Sequence, residues 1–279
     1  MRELAHSRMT ILQRLESLGY PAPRVIRTRD GELTTEASGW CAHVTTYVDG
    51  TVIRPTLDQL RQVGAALGRL HSLPAAGPDP APGRSCWHIA AAVPATRRRL
   101  DAARPLLPPD WHDLHAAFTG ATDALAASAP RMPDVITHAD VWPRNCVQTG
   151  PGHVTLIDWE TGGLGPAIMD LGRALLECHL DSNLPDGDHQ AWHIHPDEQR
   201  ITALCQGYRA QRSPEPGELA LLADAIGFGI ALIGAIHLRE ALNLGITGPG
   251  MDARLARLRN RLAVSKEIAR TAVTQLKMQ

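Results

Sequence analysis

The sequence lacks several features that would place it in a particular class of protein. Its five cysteines are widely spaced and include no C-x-x-C pair, so neither a disulfide framework nor a zinc knuckle is indicated. The first residues contain no apolar segment typical of a signal peptide. Aromatic residues make up only 4% of the chain, and lysine is absent before Lys266. These absences argue against a secreted scaffold and predict a cytoplasmic protein.

The net charge is small and long apolar runs are few, which argues against nucleic-acid and membrane partners. The formal net charge is -1, so no global field attracts nucleic acid or an anionic membrane. The longest apolar run, residues 225–236, is too short to span a bilayer and lies between Asp224 and His237. We therefore expect a core helix there, and neither a nucleic-acid nor a membrane partner.

The chain has enough apolar residues for a large core, since 44% of its 279 residues are hydrophobic. Apolar residues recur at helical spacing over residues 9–18 and predict a first helix. Two strand-like stretches, residues 24–27 and 40–47, follow and are joined through the turn dipeptide Asp30-Gly31. The sequence therefore begins with a helix and a short hairpin.

Helical patterns dominate the rest of the chain. Thr56 can cap a helix whose apolar stripe ends at His71, which we expect to be a packed structural residue. Residues 251–276 form a basic amphipathic stretch that includes Arg254, Arg257, Arg259 and Arg261. We expect this stretch to be a helix that covers the surface, and it would serve a partner equally well.

Polar residues cluster at the ends of predicted strands in the middle of the chain. A short buried strand at residues 135–136 leads to His138 and Asp140, and a hairpin over residues 146–157 leads to Asp158. Strand ends and the loops after them are where a rigid scaffold presents reactive groups. We therefore expect Asp140, Asn145 and Asp158 to converge.

Two carboxylates and one amide form a donor set that suits Mg²⁺ and phosphate. Phosphoryl transfer depends on positioning and on charge neutralisation more than on covalent chemistry by the protein. Mg²⁺ prefers oxygen ligands, usually one or two carboxylates completed by phosphates and water, which Asp158 and the Asn145 amide oxygen can provide. Asp140 then remains for the acceptor hydroxyl. The alternative is that His138 and Asp140 only cap local backbone.

The pattern His138-x-Asp140-x-x-x-x-Asn145, followed by Asp158, resembles the catalytic and metal loops of the aminoglycoside phosphotransferase and choline kinase family. Members of this family are relatives of protein kinases, so the resemblance implies an α+β, protein-kinase-like fold. It also implies that Asp140 is the catalytic aspartate and that Asn145 and Asp158 are Mg²⁺ ligands. His138 would fasten the catalytic loop, and Asp170 would brace it.

The resemblance further implies two lobes joined by a hinge. Residues 1–50 would form a small truncated N-lobe with one helix and short strands, and residues 51–279 a mostly helical C-lobe. Thr46, Tyr47 and Val48 match the hinge, whose backbone groups would bind the base of ATP or GTP. The alternative for these three residues is an ordinary strand end.

The sequence departs from this family before the hinge. It contains no G-x-G-x-x-G loop and no lysine strand, so the usual pair of a lysine and a helix glutamate is absent. Three explanations remain open: a start that lies upstream, an active enzyme that uses other cations, or a binding protein. Arg144 is the nearest substitute cation in sequence for a phosphate contact, although a surface role is equally compatible.

The predicted function is Mg²⁺-dependent transfer of the γ-phosphate of ATP or GTP to a hydroxyl of a small molecule. Asp181, Asp186 and Asp188 lie in an acidic loop that would attract a cationic acceptor such as an aminosugar, unless the loop is only a solvated turn. The alternative function is a catalytically weak kinase-like subunit in a biosynthetic complex. A peptide or partner enzyme would then cover the truncated N-lobe.

Overall fold

A computed structural model describes residues 2–38, 40–75, 83–128, 132–183, 192–244 and 249–278 of the chain. Within these ranges the helices are α1 (Arg2–Ser17), α2 (Leu57–His71), α3 (Ile89–Ala103), α4 (His112–Ser128), α5 (Ala167–Glu177), α6 (Glu198–Arg209), α7 (Pro216–Ala220), α8 (Leu222–Leu244) and α9 (Pro249–Lys277). The strands are β1 (Val25–Ile26), β2 (Thr35–Ala37), β3 (Trp40–Ala42), β4 (Val44–Thr45), β5 (Thr51–Val52), β6 (Asp134–Thr137), β7 (Cys146–Gly150), β8 (His153–Leu156) and β9 (Gly163–Pro166).

The N-terminal helix is confirmed, and the stretches at residues 24–27 and 40–47 pair antiparallel as predicted, through β1 and β4, although the second stretch is not a single strand. Residues 40–47 do not form one strand, because β3 pairs with β2 and only β4 pairs with β1. The turn at Asp30-Gly31 exists, but it closes within residues 28–32, where the amide of Thr28 donates to the carbonyl of Glu32. A second reversal at Ser38, whose φ is 51°, divides the segment into two small sheets.

The strands that carry the candidate site form as the sequence predicted. β6 pairs antiparallel with β9, and β7 and β8 form the expected hairpin, which β5 extends to three strands. The ends of β6 and β8 therefore open toward the same region, and α5 begins directly after β9. The division into lobes at residues 1–50 and 51–279 remains a prediction.

The helical part packs around contacts between α2 and α6. The hydroxyl of Thr56 caps α2 by accepting from the amide of Gln59, as expected. Gly64 and Gly207 face the opposite helix so closely that a Cβ atom on either would overlap a backbone carbonyl oxygen. The two glycines set the separation of these helices, because a backbone atom cannot rotate out of the way.

Replacing Gly207 with alanine should destabilise the protein by about 1–3 kcal/mol or more, since the new methyl group would push into the carbonyl of Arg61. Gly217→Ala is the matched control, because no atom lies within 4 Å of a Cβ built at that helical glycine. Thermal denaturation of both variants measures the difference. Equal Tm values for the two would contradict the close helix contact.

The apolar run at residues 225–236 lies in α8, which is longer than the run itself. One window of this helix, residues 222–243, is long and apolar enough to cross a membrane, with a mean hydropathy of 1.5. However, 61% of that window is buried inside the protein. Such burial is typical of a core helix, as the sequence predicted.

Candidate active site

His138, which directly follows β6, forms a side-chain hydrogen bond to the residue that directly follows β8. Its side chain is fully buried, and Nε2 lies 2.8 Å from the carbonyl oxygen of Ile157, which can only accept a hydrogen bond. Nε2 is therefore the protonated nitrogen, and Nδ1 accepts from the amide of Asp140 at 3.3 Å. Burial lowers the pKa of His138, which keeps the ring neutral. These contacts suit the predicted loop-fastening role.

Two residues of this region have a left-handed backbone conformation that side chains rarely adopt. Ala139 has φ of 70° and Asp158 has φ of 65°, and Ser38 is the other non-glycine residue with positive φ in the described ranges. Such conformations cost about 1–3 kcal/mol each and concentrate at functional sites, where the surrounding contacts hold them. The backbone therefore supports a functional assignment for both loops.

Asp170 supplies the contacts that hold the first of these loops. Its carboxylate is fully buried and accepts from the amides of His138 (2.7 Å) and Ala139 (2.9 Å). Nε2 of His71 lies 3.2 Å from the same carboxylate, and Nδ1 of His71 lies 2.8 Å from the hydroxyl of Tyr208. The bracing contact expected of Asp170 and the structural packing expected of His71 are both present.

The three predicted donors lie together and fit Mg²⁺. Nδ2 of Asn145 donates to the backbone carbonyl and to Oδ2 of Asp140, both at 3.0 Å, so these two contacts do not use the amide oxygen of Asn145. Burial raises the pKa of Asp158, and the negative charges of Glu160 and Asp140 raise it further. A bound cation would offset this repulsion. The described residues contain no cluster of three acidic, His or Cys side chains, but Mg²⁺ takes its other ligands from phosphate and water.

Sequence reasoning missed Arg173, which contacts the candidate catalytic carboxylate directly. Its Nη2 lies 3.1 Å from Oδ1 of Asp140, and its Nη1 lies 2.6 Å from Oε1 of Glu177. Burial alone would lower the pKa of Arg173, but Glu177 and Asp140 outweigh it and raise the pKa. A signal was available in the sequence, because Asp170, Arg173 and Glu177 recur at helical spacing on one face of α5.

A cavity of about 240 Å³ opens beside Asp140. The catalytic loop contributes Asp140 and Trp142 to its wall, and α9 contributes Arg254, Arg257 and Arg261. The side chain of Arg261 is only 11% exposed, and its guanidinium pairs with Glu177. The basic stretch is a helix, as predicted, and Arg254 is exposed on it, whereas Arg261 is largely buried in the cavity wall and does not cover the surface.

Helical geometry explains why one stretch of arginines divides between two environments. Residues 254, 257 and 261 are three and four positions apart and share a face of α9. Arg259 lies on another face, where its guanidinium donates to Asp113 and to the carbonyl of Asp110. The spacing was visible in the sequence, but the position of the cavity was not.

The other predicted substrate and phosphate residues lie in different surroundings. Nε of Arg144 donates to the carbonyl of Ser182 at 2.9 Å, and its guanidinium packs over the rings of Trp142 and Trp192. This packing favours the surface role over a phosphate contact. The carboxylate of Asp181 is exposed and accepts from the amide of Asn183, which is typical of a solvated turn.

Asp186 and Asp188 lie outside the described residues. Asp181 is not part of the cavity wall, which carries four arginines. The cationic acceptor expected from this acidic loop therefore has no support from the described wall, whose charge is positive.

The predicted hinge residues follow β4. The amide of Thr46 donates to the carbonyl of Arg24 at 2.8 Å, so sheet pairing already uses it and it is not available to a nucleotide base. Tyr47 is 86% exposed, and Val48 is half-buried. The groups that remain for the predicted contact with a nucleotide base are the carbonyl of Thr46 and the backbone around Val48.

Comparison with known proteins adds a family assignment to this geometry. A model described as the phosphotransferase enzyme family matches residues 2–219. The homoserine kinase of Hyphomonas neptunium is 28% identical over 229 residues, which are 79% of this chain and 65% of that protein. The chain thus spans about 65% of the length of this curated relative.

Solved structures share the fold at low identity. Amicoumacin kinase hAmiN, in complex with AMP-PNP, Ca²⁺ and Ami, matches with a TM-score of 0.66 and 16% identity, over 94% of this chain and 77% of that one. A microcompartment-associated aminopropanol kinase matches with a TM-score of 0.65 and 19% identity, over 96% and 82%. These likenesses confirm the predicted kinase-like α+β fold.

Proposed function

Because this chain belongs to the phosphotransferase enzyme family, we propose that it transfers the γ-phosphoryl group of ATP or GTP to a hydroxyl of a small molecule. The observation that carries this proposal is the convergence of Asp140, Asn145 and Asp158, which the sequence separates by up to 18 positions. Two carboxylates and an amide oxygen at one place match what Mg²⁺-assisted phosphoryl transfer requires.

Each residue of the site has a distinct task in this proposal. The carboxylate of Asp140 orients the acceptor hydroxyl and takes up its proton. Asn145 and Arg173 hold that carboxylate, one through each oxygen, and thereby fix its direction. Asn145 and Asp158 would hold Mg²⁺, which when bound neutralises charge on the phosphates.

The known activities named for similar proteins support a small-molecule acceptor. These proteins are kinases of homoserine, of aminopropanol and of amicoumacin, and one of their structures contains AMP-PNP. An adenine nucleotide is therefore the better-supported donor, and GTP remains part of the proposal. We place the reaction in the cytoplasm, as the sequence predicted.

A second candidate function is supported by exposed apolar side chains in the N-terminal segment. Trp40 is 78% exposed and Tyr47 is 86% exposed, and Val44 and Ile26 are also at the surface. Exposed apolar groups of this kind favour contact with another chain. They support a catalytically weak subunit whose small lobe a peptide or partner enzyme covers.

Calorimetric titration of ATP and GTP, with and without Mg²⁺, tests the proposal. We expect the wild-type protein to bind nucleotide in a Mg²⁺-dependent manner and Asp158→Ala to bind about 10-fold to 100-fold more weakly, since it loses a charged ligand. Asp123→Ala is the control, because that carboxylate pairs with Arg97 and belongs to none of the site contacts. Folded wild-type protein that binds neither nucleotide would reject the proposal in favour of the second candidate.

A further inference from the structure

We propose that the cavity beside Asp140 selects an anionic acceptor, that is, a small hydroxyl compound that also carries a carboxylate or phosphate group. This inference rests on the proposed function, because it assigns the acceptor of that same site. The cavity contains the candidate catalytic carboxylate and a group of arginines within one continuous wall. An acceptor bound there would direct its hydroxyl to Asp140 and its anionic group to α9.

The charges of the described cavity wall do not balance. Among the described residues, four arginines and two carboxylates line it, namely Arg173, Arg254, Arg257 and Arg261 against Asp140 and Glu177. Both carboxylates are already engaged, because Arg173 contacts each of them and Arg261 contacts Glu177. In the described part of the chain, neither Arg254 nor Arg257 forms an ion pair. Two positive charges therefore remain without a partner in the wall.

Partial burial makes the positive charges of Arg257 and Arg261 costly to leave alone, whereas Arg254 is exposed and acts on them as a nearby charge. The pKa of Arg257 is lowered by burial and by repulsion from Arg261 and Arg254. The pKa of Arg261 is also lowered by burial and by Arg173, although Glu177 opposes the change. Burial and the charge of Arg254 lower the pKa of His237, so this residue adds no charge to the wall. An anion would relieve the repulsion among these guanidinium groups.

Two donors in the same wall also have unused hydrogen-bonding capacity. The Nε atoms of Arg173 and Arg261 are buried and have no hydrogen-bond partner within the described ranges. Buried donors usually have a partner, so the hydrogen bonds of these two guanidinium groups are incompletely satisfied by the described residues. A planar carboxylate or a phosphate presents oxygens that match the fork of an arginine.

The cavity favours a small and partly apolar anion. Its volume of about 240 Å³ lies below the roughly 300–1,000 Å³ of pockets for drug-sized ligands. The guanidinium of Arg257 lies 5.4 Å from the ring centre of Trp192, which fixes its position at the wall, and Ile233 and Leu258 add apolar surface. A short hydroxy acid or a phosphorylated alcohol has the required charge and size, whereas a polycationic aminosugar has the opposite charge.

Binding can be tested without nucleotide, which separates this inference from the proposed phosphoryl transfer. We would titrate the protein at low ionic strength with 4-hydroxybutyrate and glycerol 3-phosphate. The matched uncharged probes are 1,4-butanediol and glycerol, and the cationic probe is 4-amino-1-butanol. We expect at least one anion to bind about tenfold or more tightly than its uncharged match and than the amino alcohol. The two anions distinguish a carboxylate site from a phosphate site.

Variants of α9 test whether the preference for anionic probes arises in the cavity. The double variant Arg254→Ala/Arg257→Ala should bind the anion about tenfold or more weakly than the wild type. The variant Arg259→Ala removes an arginine on another face of the same helix and should bind the anion as well as the wild type. A wild-type protein that prefers the amino alcohol, or that binds no anion better than its uncharged match, would overturn the inference. So would equal anion binding by the double variant and the wild type. Mg²⁺–nucleotide binding that persists in either case would leave the proposed function standing.

Discussion

Asp140→Asn is expected to lower kcat for phosphoryl transfer by about 10²-fold to 10⁴-fold, which is the usual contribution of a positioned general base. An asparagine side chain has nearly the same shape but cannot take up the proton of the acceptor hydroxyl. Its neighbours also favour a carboxylate, because Asn145 and Arg173 both donate to it. The measurement is steady-state ADP release with an acceptor that the wild-type protein phosphorylates.

The control for this variant is Asp134→Asn, at the opposite end of β6. Its side chain is 42% exposed and lies 3.4 Å from Nε2 of His88, away from the candidate loop. We expect its kcat to stay within a few-fold of the wild type, and we expect Asp140→Asn to keep its Mg²⁺–nucleotide affinity. A kcat for Asp140→Asn within tenfold of the wild type would remove Asp140 from the proposed chemistry.

Asp170→Ala is expected to destabilise the protein by about 3–5 kcal/mol, which is typical of breaking a buried charged network. The substitution would leave the amides of His138 and Ala139 buried without an acceptor and would deprive His71 of its partner. Because Ala139 has a left-handed backbone conformation, these contacts also hold a loop that would otherwise relax. Urea denaturation measures the change in the free energy of unfolding.

Asp181→Ala provides the comparison, since that carboxylate is exposed and, within the described ranges, accepts from the nearby amide of Asn183. We expect a change of about 0.5 kcal/mol or less for this variant. Asp170→Asn should fall between the two, because an amide can accept hydrogen bonds through only one of its two terminal atoms. Equal stability of the Asp170→Ala and Asp181→Ala proteins would show that the carboxylate of Asp170 does not brace the loop.

Local patterns allowed much of the site to be predicted before the structure. A short apolar strand leading to His138 and Asp140, and a hairpin leading to Asp158, are features of neighbouring residues. Their chemistry depends on residue type, since Mg²⁺ and phosphate restrict the donors that can serve. In the first 50 residues the same reasoning found the pairing of β1 with β4 but missed that of β2 with β3, because the pairing of short strands depends on partners that propensity alone does not identify.

The charge of the described wall of the cavity beside Asp140 required the tertiary structure. Asp181, Asp186 and Asp188 suggested a cationic acceptor because carboxylates attract positive ligands. Arg257 and Arg261 are more than 100 positions from Asp140, yet they line the same cavity. Proximity in sequence therefore does not indicate which charged residues line this cavity.

By itself the sequence determined the helices, the strands of the catalytic region and the kinds of donor atom available, because backbone periodicity and ligand chemistry act over a few residues. Only the tertiary structure decided that Arg173 holds Asp140 and that the arginines of α9 face the same cavity. The physical reason is that charge acts through space. The net charge of a site is the sum over every element that packs against it, and chain order does not record which elements those are.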